Sequence, residues 1–167
     1  MEDEKGQGGL THTDGDGRVS MVDVTEKPPT VRTARAGALV RMKPETLALV
    51  MEGRVKKGSV WETVKIAGIM AAKKTGELIP LCHPLAITHA GVEFFPDPET
   101  GIVRIEATAT VTGPTGVEME ALTAVAVAAL TLYDMVKAVD RAVVITDIRL
   151  LEKSGGRSGH YLADKDA

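Results

Sequence analysis

The clearest pattern in the chain is an alternation followed by an unbroken apolar run. Over 102–112, Val103, Ile105, Ala107, Ala109 and Val111 fall on one side. Arg104, Glu106, Thr108, Thr110 and Thr112 fall on the other. A period of two predicts a half-buried strand. Residues 87–95 read as a second strand, joined to it through the turn-forming Pro96-Asp97-Pro98-Glu99-Thr100-Gly101, so the two predict a hairpin. The run comes next. Between Glu120 and Asp134 there is no charged residue, no Gly and no Pro. Such a stretch predicts one long helix, here 118–139, buried over most of its surface. At ~1.5 Å per residue it would extend roughly 33 Å, with charge only at its two ends.

The flanks are read in the same way. Residues 30–41 carry Arg32, Arg35 and Arg41 and include Ala38-Leu39-Val40, a first strand. Pro44 suits the first turn of a short helix over 45–51, closed by Gly53. Ser59 with Glu62 three residues on is a capping-box signature for a helix from 59 to about 74, which Gly76 ends. A Val- and Ile-rich segment, 142–151, gives the last strand. The basic, glycine-rich segment from Lys153 to Gly159 reads as a flexible tail.

Residues 1–20, rich in Gly, Asp and Glu, predict a mobile arm, and 162–167 a flexible end. A single domain is expected over 21–161. Strand, helix, helix, hairpin, long helix and strand predict an α+β fold, most simply ferredoxin-like, with two helices on one face of an antiparallel sheet. The other face, with several Thr and Ala residues, is then left for subunit packing.

Composition narrows the function. The chain has 167 residues, enough for one domain with a proper core. Only 3% are aromatic, which argues against a base-stacking surface. A net charge of −3 argues against nucleic acid or an anionic membrane as partner. Cys82 is the only cysteine, so no intrachain disulfide forms, and a cytoplasmic location is expected. The apolar run 121–133 is too short to span a membrane, and no signal core opens the chain.

Several residues can carry chemistry. Asp134 and Lys137, three apart, share one helical face. They read either as a surface ion pair or, at the rim of an apolar helix, as an acid/base pair whose lysine is lowered by desolvation and raised by its Asp neighbour. Lys56-Lys57-Gly58 precedes a helix start and is either a solvated turn or an anion site. Two prolines bracket Leu81-Cys82-His83, so that segment has a constrained backbone. His83 there is either a structural turn residue or an anion-contacting proton donor. Cys82 with His12, His89 and His160 does not have zinc-like spacing, so no metal site is expected. Glu118 and Glu120 either decorate a helix N-terminus or hold a donor-rich edge such as that of guanine.

These segments resemble a known family. Leu81-Cys82-His83-Pro84-Leu85, Thr115-Gly116-Val117-Glu118-Met119-Glu120-Ala121-Leu122-Thr123, Tyr133-Asp134-Met135, Lys137-Ala138-Val139 and Lys153-Ser154-Gly155-Gly156 closely resemble the molybdenum cofactor biosynthesis protein C family, the cyclic pyranopterin monophosphate synthases. The resemblance runs from Leu10-Thr11-His12 and Met21-Val22-Asp23-Val24 to about Tyr161.

It implies conversion of 3′,8-cyclo-7,8-dihydroguanosine 5′-triphosphate to cyclic pyranopterin monophosphate with release of pyrophosphate, and no cofactor. It implies Asp134, Lys137 and Lys57 as catalytic residues. Leu81, Cys82, His83, Glu118, Met119 and Glu120 are implied as substrate-binding, with Arg32 and Lys153 near the triphosphate. It further implies a ferredoxin-like fold and a homohexamer, a trimer of dimers, with sites at subunit interfaces. The competing readings are a non-catalytic nucleotide-sensing module and a metal-dependent hydrolase.

Overall fold

The computed structural model describes residues 18–157 and 159–164. Residues 1–17 of the arm expected over 1–20, His12 among them, and the last three residues lie outside the described part. The chain runs β1 (Thr30–Arg41), α1 (Pro44–Met51), α2 (Val60–Lys73), α3 (Thr75–Leu78), β2 (His89–Asp97), β3 (Ile102–Gly113), α4 (Glu118–Val136), β4 (Val144–Ser154) and β5 (Tyr161–Leu162). The sheet order is β2-β3-β1-β4-β5, and every neighbouring pair is antiparallel. This is an α+β fold whose first four strands follow the ferredoxin-like order, with β5 added at one edge.

The alternation over β3 sets the core. Val103, Ile105, Ala107 and Ala109 are fully buried. Ala34, Ala36, Ala38 and Val40 line up beside them on β1. Small side chains on the two central strands let α4 lie close to the sheet, and Ala121, Val125, Ala128, Ala129 and Leu132 fill the space between. α2 packs against α4 and β2. Gly68 makes that approach possible: a Cβ there would lie 2.8 Å from Val92 and 3.1 Å from the Ala124 carbonyl. α4 is long and apolar enough to cross a membrane by length and composition alone, yet much of its surface is buried in this core.

The structure departs from the sequence reading at definite places. Ser59 stands at the N-cap of α2, but its side chain makes no capping bond. Its carbonyl instead accepts from the Thr63 hydroxyl at 2.7 Å. Gly76 lies inside α3 rather than closing α2; the buried Thr75 hydroxyl donates to Ala71 and Ala72 carbonyls at the end of α2. α4 ends at Val136, and the amides of Val139 and Asp140 both turn back onto the Val136 carbonyl. β4 continues to Ser154, so Lys153 is not in a flexible tail: its backbone is paired with Ala34 on one side and Tyr161 on the other. β5 is a strand the pattern did not predict. Two residues are too few to show periodicity.

The face away from the helices also differs from expectation. The alanines point into the core, and this face carries Thr33, Thr108, Thr110 and an ionic network. Buried Glu106 sits between Arg35 at 2.8 Å and Arg104, and Arg104 lies 4.0 Å over the Phe95 ring. Arg35 also reaches Glu152 at 3.1 Å, and Glu152 meets His160 at 2.9 Å.

Candidate active site

Two places on the molecule gather the predicted residues, and α4 separates them. At its N-terminal end, the proline-locked loop after α3 folds over the first turn of the helix. The loop is held by Cys82 N–H donating to the Ile79 carbonyl at 3.0 Å. Leu81, Cys82 and His83 thereby face Glu118, Met119 and Glu120 across a cavity of about 560 Å³. Val22, Ile79, Leu85, Thr115 and Gly116 complete its wall. A cavity of this size is suited to a small organic ligand.

Charge is arranged around this cavity by burial. Glu120 is 3% exposed, and burial pushes its carboxyl above the ordinary range, with Glu118 adding to the shift. Burial, then the nearby Glu120, pushes the Cys82 thiol up as well, so the thiol form is favoured. Glu118 accepts from Lys153 Nζ at 2.8 Å, both side chains being about a quarter exposed. Gly116 makes room for this pair, because a Cβ there would collide with the Glu118 carboxylate. Asp23, close enough to His83 to feel its charge, is held low chiefly by the Thr25 hydroxyl.

Thr115 is shared with a second cavity of about 400 Å³, lined by Lys27, Thr30, Arg32, Pro114, Gly156 and Arg157. Arg32 is fixed there by its Nε donating to the Gly113 carbonyl at 3.1 Å. Between the two cavities a narrow gap is lined by Arg32, Glu118 and Lys153. A ring-sized pocket thus lies beside a cationic groove, an arrangement that suits a ring carrying an anionic chain. The sequence reading assigns no site role to Val22, Lys27 or Arg157, which line these cavities. The apolar island at 21–24 and the cations flanking the Gly-Gly pair were the available signals.

The other end of α4 holds the second group. Asp134 accepts from Lys137 at 2.7 Å and from Lys57 at 2.9 Å, and Lys57 also donates to the Asp134 carbonyl at 2.6 Å. The two lysines hold the Asp134 carboxyl down at about 2. Hydrogen bonding to Asp134 raises Lys137 above its ordinary value. The expected buried rim is not found here. The side chains of Asp134, Lys137 and Lys57 are 55%, 50% and 39% exposed. The reason lies in the helix phase: Met135 and Val136 turn to the core, so Asp134 and Lys137 turn outward.

One chain therefore does not bring all the predicted residues together. Glu118 and Asp134 are sixteen positions apart on one continuous helix, which is about 24 Å at the helical rise. Among the described residues, no three His, Cys, Asp or Glu side chains form a cluster that could hold a metal ion.

Comparison with known proteins agrees with the motifs. The MoaC family matches residues 21–156. A cyclic pyranopterin monophosphate synthase of Methylobacterium sp. (strain 4-46) is 61% identical over 155 residues, covering 93% of this chain and 97% of that protein. The protein of the same name from Dinoroseobacter shibae is 60% identical over 156 residues, covering 93% and 99%. That from Desulfatibacillum aliphaticivorans is 57% identical over 153 residues, covering 92% and 96%. The chain belongs to the MoaC family.

Proposed function

We infer that the two ends of α4 serve one active site, that of a MoaC-family enzyme of molybdenum cofactor biosynthesis. The chain is a cyclic pyranopterin monophosphate synthase. Its substrate is the cyclised nucleotide 3′,8-cyclo-7,8-dihydroguanosine 5′-triphosphate. The purine-derived ring opens and recloses as a pterin. A sugar hydroxyl attacks the α-phosphorus, the bond from that phosphorus to the bridging oxygen breaks, and pyrophosphate leaves. These steps are proton transfers and a displacement at phosphorus.

The observation that carries this reading is the ring-sized cavity joined through Thr115 to a cationic groove. The guanine-derived edge, rich in N–H donors, lies against the Glu118–Met119–Glu120 segment, with Leu81 and Cys82 opposite. The triphosphate runs toward Arg32 and Lys153, and His83 stabilises the departing pyrophosphate. Lys57 and Lys137 carry protons, while Asp134 orients both. Lys137 begins as an ammonium, since Asp134 raises it, so its first act is to donate.

The separation along α4 supports an assembly. A second copy placed antiparallel to the first would bring the Asp134 end of one α4 against the cavity of the other. That second copy would also exclude water from the exposed lysines, strengthening their action on a bound anion. A homohexamer built as a trimer of dimers, in the cytoplasm, with residues 21–161 as one catalytic unit, is the form we assign.

Pyrophosphate release from the cyclised nucleotide tests the reading directly. Lys57→Ala and Lys137→Ala are each expected to lower kcat about 10²-fold or more, the usual range for loss of a proton-transfer group. Wild-type turnover in Lys137→Ala would remove that lysine from the mechanism. Binding of the nucleotide by the wild type without pyrophosphate release would favour the sensing module instead.

A further inference from the structure

Asp140 lies three residues beyond Lys137 and is 3% exposed, a buried carboxylate that the chemistry above does not use. One oxygen, Oδ2, accepts from the Lys43 backbone N–H at 3.0 Å and from the Thr46 hydroxyl at 3.2 Å. The other, Oδ1, accepts from the Ala142 N–H at 3.0 Å. Lys43 is the N-cap of α1, and its own side chain makes no capping bond. Asp140 therefore anchors the start of α1 from 97 residues away in sequence.

The other end of α1 returns to the same place. Its last turn receives the Arg54 N–H on the Leu49 carbonyl, and a short turn with Gly58 N–H on the Val55 carbonyl presents Lys57. Lys57 then bonds Asp134. Both ends of α1 are thus tied to the C-terminal end of α4, one through Asp140 and one through Lys57. Leu47 and Val50 fix its middle in the core.

We propose that Asp140 is a positioning residue: by anchoring the start of α1 it sets where the loop after α1 delivers Lys57 against Asp134 and Lys137. It touches no substrate and acts through the helix. The inference rests on the assignment of Lys57 as catalytic, and its test separates the two.

Asp140→Asn puts an NH2 in place of one carboxylate oxygen, Oδ1 with one donor or Oδ2 with two, so at least one of those bonds is lost. In the full-length protein, held well below its melting temperature, kcat for pyrophosphate release should fall about tenfold with KM within about twofold. Such a split marks lost positioning rather than lost binding. With 15N-labelled lysine, the ammonium signal of Lys57 should weaken while that of Lys137, whose partner Asp134 is only three residues away, persists. If Asp140→Asn does not fold, Thr46→Val removes one of the bonds, and Thr46→Ser should restore what Thr46→Val loses. Wild-type kcat and an unchanged Lys57 signal in a folded Asp140 or Thr46→Val variant would overturn the proposal. If the wild type itself releases no pyrophosphate, the catalytic assignment fails, and the Lys57 signal alone still decides whether Asp140 positions it.

Discussion

The two ends of α4 are built on opposite principles. At the N-terminal end, burial dominates: Glu120 is held above the ordinary carboxyl range, Cys82 is held as the thiol, and the walls enclose a cavity. At the C-terminal end, charge pairing in the open dominates: Asp134 is held at about 2 and Lys137 is raised. The same helix thus carries a carboxyl group made less acidic and one made more acidic. The difference teaches what each end is ready to do. The enclosed end favours the uncharged form of its acids, whereas the open end favours the charged forms of Asp134 and Lys137. Asp134, lowered from 3.8, favours the folded state above that value and loses this effect only as pH falls through about 2.

The comparison can be broken most strongly at Gly116. Gly116→Ala forces the Glu118 carboxylate aside and breaks its pair with Lys153, while the backbone tolerates alanine. The expected outcome is a rise of roughly tenfold in KM, about 1.4 kcal/mol, as the displaced Glu118 carboxylate intrudes on the cavity; loss of the part-exposed pair itself should lower the melting temperature by only a few degrees. An unchanged KM would show that the Glu118–Lys153 pair does not shape the cavity.

A smaller effect sharpens the contrast in charge state. Glu120 has its folded pKa raised, so its contribution to stability is full below the unfolded value of 4.5 and is lost as pH rises through the folded value. Glu120→Gln removes that loss. It should raise the melting temperature at pH 7 by roughly 2–4 °C, and leave it unchanged or lower at pH 4. Equal shifts at both pH values would mean that burial does not govern this carboxyl.

Much of this was legible in the sequence, for identifiable reasons. The strict alternation from Val103 to Val111 and the charge-free run in α4 fixed the sheet face and its covering helix, because burial on one side leaves a period. The resemblance implies Leu81-Cys82-His83 and Glu118-Met119-Glu120 as substrate-binding, and the two segments line one cavity. What the pattern could not carry was phase and distance. The apolar residues before Asp134 pointed to a buried rim, but a turn of the helix puts Asp134 and Lys137 outside. Of the contacts of Asp140 only the turn to the Ala142 N–H is local; its partners Lys43 and Thr46 lie more than ninety residues away. β5 and the true end of β4 depend on pairing across the sheet, which no short window contains.

If the two ends of α4 act together only across two copies of the chain, variants disabled at opposite ends complement one another. The direct measurement mixes two variants disabled at opposite ends, Lys137→Ala and His83→Ala, unfolded and refolded together, and follows pyrophosphate release. Random two-fold pairing would put half of the dimers in mixed form with one of their two sites intact, and so recover about one quarter of wild-type activity from two variants that are each inactive alone. If the mixture is no more active than either variant by itself, both ends must come from one chain, and the account of a shared site is wrong.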